Sequence, residues 1–272
     1  MIKALFFDLD GTLLNSEKQI SPTTKNTLQK CTAKGCKLFI ATARPPLLNR
    51  MLSWDKDTLG LFTGGSYYNG GCIIIGEHKN YVFIADDMVQ LIINNVLNYG
   101  NLNIALQLED DKHAFRFPLE DKSYKSWGVS ANEALTLHQC STMKTIKIVV
   151  FYSNLIDSAQ PIDSNLTVLL EDICMDNAQF YLTDKGTCVQ IMGKSVNKLQ
   201  GIEKIRNHYG FLKNEIAVFG DDINDIEMLS EYPFSFAMGN AEPQVKSAAK
   251  YITLDNDAEG IHEAISNTLH LL

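Results

Sequence analysis

The segment FFDLDGTLL, residues 6–14, constrains this chain more than any other: an apolar run delivers two carboxylates, Asp8 and Asp10, and breaks at Gly11. Ile2, Leu5, Phe6 and Phe7 read as a buried parallel strand with apolar residues on both faces. The aspartates therefore arrive at the carboxyl end of a strand, where open α/β sheets place their ligands. In a fully extended backbone the two acids would point the same way and repel; the glycine permits an abrupt turn that separates them. A second acidic cluster, GDDINDIEML at 220–229, again follows a strand-like run, 215–219.

With 272 residues, 45% of them hydrophobic, the chain is long enough for one large domain and a smaller one. Its formal charge of −8 and the absence of a Lys/Arg run argue against nucleic acid or an anionic membrane as partner. An anionic small substrate would need positive charge supplied locally. The apolar runs are too short to span a bilayer, and the N-terminus enters a strand without a signal-peptide pattern. The six scattered cysteines, without a CxxC pair, read as reduced structural thiols in a cytoplasmic protein. The dispersed histidines suggest no metal motif.

Along the chain, Ser21-Pro22 opens a helix to about Ala33, ended by Gly35, and Lys37 to Ala41 is a second strand. Thr42 to Pro46 form a loop before a helix near Leu47 to Leu52, and Leu59 to Phe62 are expected to be the next strand. Gly64 to Gly71 are expected to be a glycine-rich loop that fits no phosphate-binding fingerprint; Asn69-Gly70 suits a hairpin turn instead. From about Tyr81 the pattern changes. A helix carrying Met88, Leu91, Ile92 and Val96 precedes strand-like segments at 104–108, 113–117, 145–152, 179–183 and 187–192, with a helix near 165–173. This mixture suggests an α+β insert, its sheet covered on one face, spanning 83–188. Helical spacing at Val196, Leu199, Ile202 and Ile205 and strands near 215–219, 234–238 and 251–253 then restore the α/β alternation. The expected architecture is a Rossmann-like parallel-sheet core, 1–82 and 189–272, interrupted by that insert.

Gathered at strand ends, Asp8, Asp10, Asp221, Asp222 and Asp225 would repel one another, and a hard divalent cation with oxygen ligands relieves this. Mg²⁺ suits a small acidic site that must also accept phosphate oxygens, leaving one aspartate to act as nucleophile. The plainer alternative is that Asp221 or Asp222 caps the helix through Ile226 and Leu229, and that Asp10-Gly11 makes a turn.

Taken together, these motifs resemble the haloacid dehalogenase-like superfamily, specifically Cof-type hydrolases with a type IIB cap. Asp8-Leu-Asp10-Gly-Thr12 is similar to its first motif, Thr42 to its second, Lys198 to its third, and Gly220-Asp221-Asp222-Ile-Asn224-Asp225 to its fourth. Ala237 to Ala241 and Asn256 to Gly260 are similar to two further stretches of the subfamily. The resemblance implies that Asp8 attacks phosphorus and forms an aspartyl-phosphate. Asp10 would protonate the leaving oxygen and then deprotonate the hydrolytic water. Mg²⁺ would be held by the Asp8 carboxylate, the Asp10 carbonyl and the Asp221 carboxylate, with Asp225 supporting its shell. Thr42 and Lys198 would stabilise the transferring phosphoryl group, Lys194 could assist, and Ala43, Arg44, Asn224 and Asn240 would line the substrate site. Ala43 stands where the family often has Gly, which alters pocket shape.

The expected function is Mg²⁺-dependent hydrolysis of a small phosphorylated metabolite, such as a sugar phosphate, by a cytoplasmic monomer or weak homo-oligomer. The insert would close over the site as a cap and exclude water. Two alternatives stand beside this: a phosphotransferase or mutase on the same scaffold, and a catalytically idle metabolite-binding regulator.

Overall fold

The computed structural model describes residues 1–52, 54–152 and 160–272. In chain order its strands are β1 (Ala4–Phe7), β2 (Lys37–Ala41), β3 (Phe62–Tyr67), β4 (Cys72–Ile75), β5 (His78–Tyr81), β6 (Leu102–Leu108), β7 (His113–Phe115), β8 (Leu135–Thr136), β9 (Thr145–Tyr152), β10 (Ala178–Thr183), β11 (Cys188–Gly193), β12 (Ile216–Gly220), β13 (Phe234–Ala237) and β14 (Tyr251–Ile252). Among the described residues they form two sheets, ordered β14-β13-β12-β1-β2-β3-β4-β5 and β10-β11-β9-β6-β7-β8. The chain divides into two compact units: residues 1–43, 52–80 and 198–272, and residues 44–51 and 81–197.

In the first unit β12, β1, β2 and β3 run parallel, with β1 between β12 and β2. All four residues of β1 are buried, as a central parallel strand covered on both faces requires. Phe6 and Ala4 join a core with Phe39, Ile202, Ile205, Val218 and Met228. The helix Pro22–Ala33 begins as its sequence indicates: Ser21 accepts a hydrogen bond from the Thr24 amide, and Pro22 occupies the first turn, where a missing N–H costs nothing.

One expectation here needs correction. Leu59 and Gly60 end a short helix, Lys56–Gly60, and the strand begins at Phe62, so Gly64 and Gly65 lie in β3 and not in a loop. Close strand packing explains the glycines. A Cβ at Gly64 would lie 2.2 Å from the Ile74 carbonyl oxygen, and one at Gly65 2.8 Å from that of Ile40. The turn is confined to Tyr68–Gly70, after which β4 returns antiparallel to β3.

The second unit is an antiparallel sheet except at the β7–β8 edge pair, which is parallel. Helices Asp86–Val96 and Ser164–Cys174 share a core with one face, through Ile92, Val96, Leu166 and Leu170 against Ile104, Leu106, Ile148 and Ile191. Ala105 and Val149, which alternate with these along β6 and β9, cluster with Phe115 of β7 and with Leu119 and Tyr124. The second face is therefore partly covered as well, where a one-sided sheet was expected.

The second unit's limits also differ from 83–188. Strand β11 pairs with both β9 and β10, so residues 189–197 belong to this unit, as do 44–51. Among the described residues no disulfide joins the six cysteines; five are buried and Cys188 is half-buried.

Candidate active site

Three neighbouring parallel strands, β12, β1 and β2, set the level of the site. Phe7 lies in register with Phe219 on one side and Ile40 on the other, and the Asp8 amide donates to the Phe219 carbonyl at 3.0 Å. Asp8 leaves β1 where Asp221 leaves β12 and Thr42 leaves β2. The turn after β1 is closed by Leu13 N–H to Asp8 carbonyl at 3.2 Å and Leu14 N–H to Leu9 carbonyl at 2.8 Å. Gly11 has φ +76°, and a Cβ there would lie 2.2 Å from Asp221 Oδ2. The glycine thus serves the turn and the close approach of the second acidic loop together.

Asp8, Asp221 and Asp225 each place a carboxylate oxygen within 4.8 Å of the others. Lys198, at the start of the helix Lys198–Tyr209 and 1% exposed, donates to Asp8 Oδ1 at 2.6 Å and to Asp225 Oδ1 at 2.7 Å. It is a buried counter-ion shared by the two carboxylates. Asp225 spends its other oxygen on the backbone N–H groups of Asp221, at 3.0 Å, and Asp222, at 3.1 Å. It therefore shapes the fourth-motif loop from within. Gly220 makes this possible: a Cβ there would meet Asp225 Cγ at 2.5 Å. Asp222 caps the following 3₁₀ turn, its Oδ1 accepting from the Ile223 amide, so for this aspartate the capping alternative describes what is seen.

The electrostatics of the cluster are those of crowded anions. Burial pushes Asp8 up to about 7; Lys198 opposes the rise, while Asp225 and Asp10 add to it. Asp221 is pushed up to about 8, by burial and then by Asp8 and Asp225, against the Thr12 hydrogen bond and Lys198. Burial alone would depress Lys198, but the pull of Asp225 and Asp8 outweighs it and leaves its pKa above the ordinary lysine value. Three carboxylates facing one ammonium leave two negative charges, which a divalent cation with oxygen ligands would neutralise. The donor set fits Mg²⁺.

The other expected residues divide. Asp10 is half-buried, with Oδ1 accepting from Lys18 Nζ at 2.9 Å. Thr42 is buried; its amide donates to the Ser66 carbonyl and its carbonyl accepts from the Asn69 amide. Ala43 ends the first stretch of the first unit, whereas Arg44 and the exposed Lys194 belong to the second. Asn224 is buried and donates to Asn69 Oδ1 at 3.0 Å. Asn240, expected at the substrate, is exposed and donates to the Gly11 carbonyl at 2.9 Å and Asp221 Oδ2 at 3.4 Å.

Several participants carried no separate signal in the sequence. Thr12 donates to Asp221 Oδ1 at 2.6 Å, holding the oxygen that Asn240 does not. Asn256 donates to the Leu14 carbonyl at 2.9 Å and Asp257 accepts from Ser16, so the stretch resembling the subfamily near the C-terminus fastens the loop after β1. Lys18 is an exposed loop lysine, indistinguishable by spacing from a solvated one.

A parallel α/β sheet with an aspartate leaving its central strand, a buried lysine beside it and two further acids on the neighbouring loop defines a hydrolase centred on a carboxylate. The haloacid dehalogenase-like hydrolase family profile matches residues 5–265, and the chain belongs to that family. It is 27% identical over 265 residues to the 5-amino-6-(5-phospho-D-ribitylamino)uracil phosphatase YcsE of Bacillus subtilis, covering 97% of this chain and 94% of that one. It is 26% identical to YitU of the same organism, which bears the same enzyme name, over 93% of each chain. Among solved structures, the subclass IIB sugar phosphatase BT4131 superposes with a TM-score of 0.80 and 25% identity, over 99% of this chain and 100% of that one.

Proposed function

We propose that this protein is a Mg²⁺-dependent phosphatase of small phosphorylated metabolites, sugar phosphates foremost, that works in the cytoplasm through an aspartyl-phosphate on Asp8. The observation that carries the reading is Asp8 leaving the central strand, paired to buried Lys198 and facing Asp221 and Asp225. The relatives' names support the substrate class: they describe phosphate esters of a ribityl chain or of sugars.

In this reading the Asp8 carboxylate attacks phosphorus, and Lys198 holds that carboxylate while offsetting negative charge. Asp10 gives a proton to the departing oxygen and later takes one from the attacking water; its partly exposed position beside Lys18 leaves it able to exchange protons with solvent. The Thr42 hydroxyl donates to the phosphoryl group. The Asp8 and Asp221 carboxylates and the Asp10 carbonyl would hold the Mg²⁺, supported by Asp225. When bound, the cation supplies Lewis-acid neutralisation of phosphoryl charge. Thr12 and Asn240 keep Asp221 in place, while Ala43, Arg44 and Asn224 serve the substrate. Such chemistry asks the protein chiefly for placement and charge. The second unit, residues 44–51 and 81–197, is the inserted cap of this reading.

Asp8→Asn tests the reading. The variant should melt cooperatively and lose turnover of p-nitrophenyl phosphate by on the order of 10⁴-fold or more. Wild-type rates in that variant would refute Asp8 as nucleophile.

A further inference from the structure

We propose that Asn69, in the turn after β3, is a positioning residue for phosphoryl transfer: it fixes the Asn224 carboxamide and ties the Thr42 loop to it. The inference rests on the phosphatase reading above and adds a residue to its machinery.

The turn combines three features. Tyr68 and Asn69, at φ 53° and φ 56°, are consecutive non-glycine residues in the left-handed region, followed by Gly70 at φ 100°. Such pairs also close the hairpins at Asp110-Asp111 and Asp184-Lys185, so the backbone alone does not set this turn apart; the asparagine side chain does. Next, the asparagine of a hairpin turn is ordinarily chosen for its backbone, with its side chain in water, yet Asn69 is 0% exposed. Finally, its Oδ1 accepts from Asn224 Nδ2 at 3.0 Å, a fully buried hydrogen bond between residues 155 positions apart, while its own amide donates to the Thr42 carbonyl at 2.9 Å.

These contacts lock the loops following β2, β3 and β12 to one another. With Asn69 Oδ1 in that place, a flipped Asn224 carboxamide would set Oδ1 against Oδ1, so the orientation of Asn224 follows that of Asn69. Asn224 Oδ1 is left buried without a protein partner among the described residues, and only one of the two Nδ2 protons is used at Asn69. A carboxamide held this way beside Asp225 keeps one donor for a phosphoryl oxygen. Without Asn69, Asn224 could rotate and present its oxygen to an anion.

Asn69→Gly separates this role from the backbone, since glycine keeps the left-handed turn and the N–H to Thr42 and removes only the carboxamide. Asn69→Ala removes the carboxamide and adds backbone strain. With p-nitrophenyl phosphate, both variants should lose kcat by roughly 10–100-fold, with KM changed by less than about threefold. In an Asn224→Ala background, Asn69→Gly should cost less than about a further twofold. Wild-type kcat in Asn69→Gly, loss confined to Asn69→Ala, or an undiminished loss in the Asn224→Ala background would each overturn the inference. Should Asn69→Gly give no cooperative melt, Asn224→Ala alone decides: it must show the kcat loss, and wild-type kcat there refutes the proposal. Absence of hydrolysis by the wild-type protein would sink the phosphatase reading and this inference with it, whereas an active wild type matched by Asn69→Gly sinks the inference only.

Discussion

Replacing Lys198 by methionine keeps most of the apolar stem and removes the one ammonium that serves two carboxylates, Asp8 at 2.6 Å and Asp225 at 2.7 Å, in a site where Lys198 and Asp225 are essentially inaccessible. Breaking a buried ion pair from one side costs about 3–5 kcal/mol, because an uncompensated charge stays behind. Proton uptake sets a ceiling. A single carboxylate with an ordinary pKa of 3.8 can be held protonated at pH 7.5 for about 1.36 kcal/mol per unit of pH, or about 5 kcal/mol, after which its charge no longer matters. Burial already raises Asp8 with Lys198 in place, so part of that cost is present in the wild type and the loss lies at the lower end of the range, about 3 kcal/mol or less. At roughly 2–4 °C per kcal/mol, the chelator-treated variant should melt on the order of 10 °C below wild type. Mg²⁺ in about 100-fold excess over its dissociation constant should return about 2.7 kcal/mol of stability without restoring turnover, which falls by about 10²–10³-fold. Calorimetry with chelator and with Mg²⁺, beside phosphate release, makes the measurement. A variant melting within about 2 °C of wild type in chelator would refute the view that Lys198 is the counter-ion of a destabilised carboxylate cluster.

Gly11→Ala adds a Cβ 2.2 Å from Asp221 Oδ2 at a backbone φ of +76°, so it should lower activity by at least about tenfold and destabilise the fold by about 1–3 kcal/mol; a fully active, equally stable variant would contradict the packing. In the second unit, burial pushes His113 down to about 4 from 6.5, its neutral ring placed between the Asp111 carbonyl and the Gln107 amide. A depressed histidine contributes stability above its unfolded pKa and loses it as pH falls, so up to about 3 kcal/mol should disappear between pH 6.5 and 4. Denaturant titrations across that window check it, and a slope unchanged in His113→Gln would show that another group is responsible.

What could be read in the sequence was whatever is written in local pattern. The β1 run, the Ser21-Pro22 helix start and the acidic clusters each carry their signal within a few residues, and the structure shows each of these elements. Gly64 and Gly65 misled because glycine within a strand, tolerated for close approach to Ile74 and Ile40, looks the same as glycine in a loop until the neighbouring strands are known. The limit at 188 fell short because β11 earns its place in the second sheet only through pairing with β9 and β10, partners remote in the chain. Asn69 and Thr12 were visible as turn and motif residues, but their partners Asn224 and Asp221 lie 155 and 209 positions away. Asp225 was expected beside a metal, and its service to the amides of its own loop needed coordinates to be seen.

The distribution of the cysteines makes the protein its own reporter of opening. Cys31, Cys36 and Cys72 are buried in the first unit, Cys140 and Cys174 in the second. Burial raises the thiol pKa of Cys31, Cys36, Cys140 and Cys174, so a thiol-directed reagent meets neither exposed sulfur nor thiolate at these four while the fold is closed. The mass added over time, assigned by peptide, then measures how often each unit exposes its interior, without a label or a substitution having been introduced.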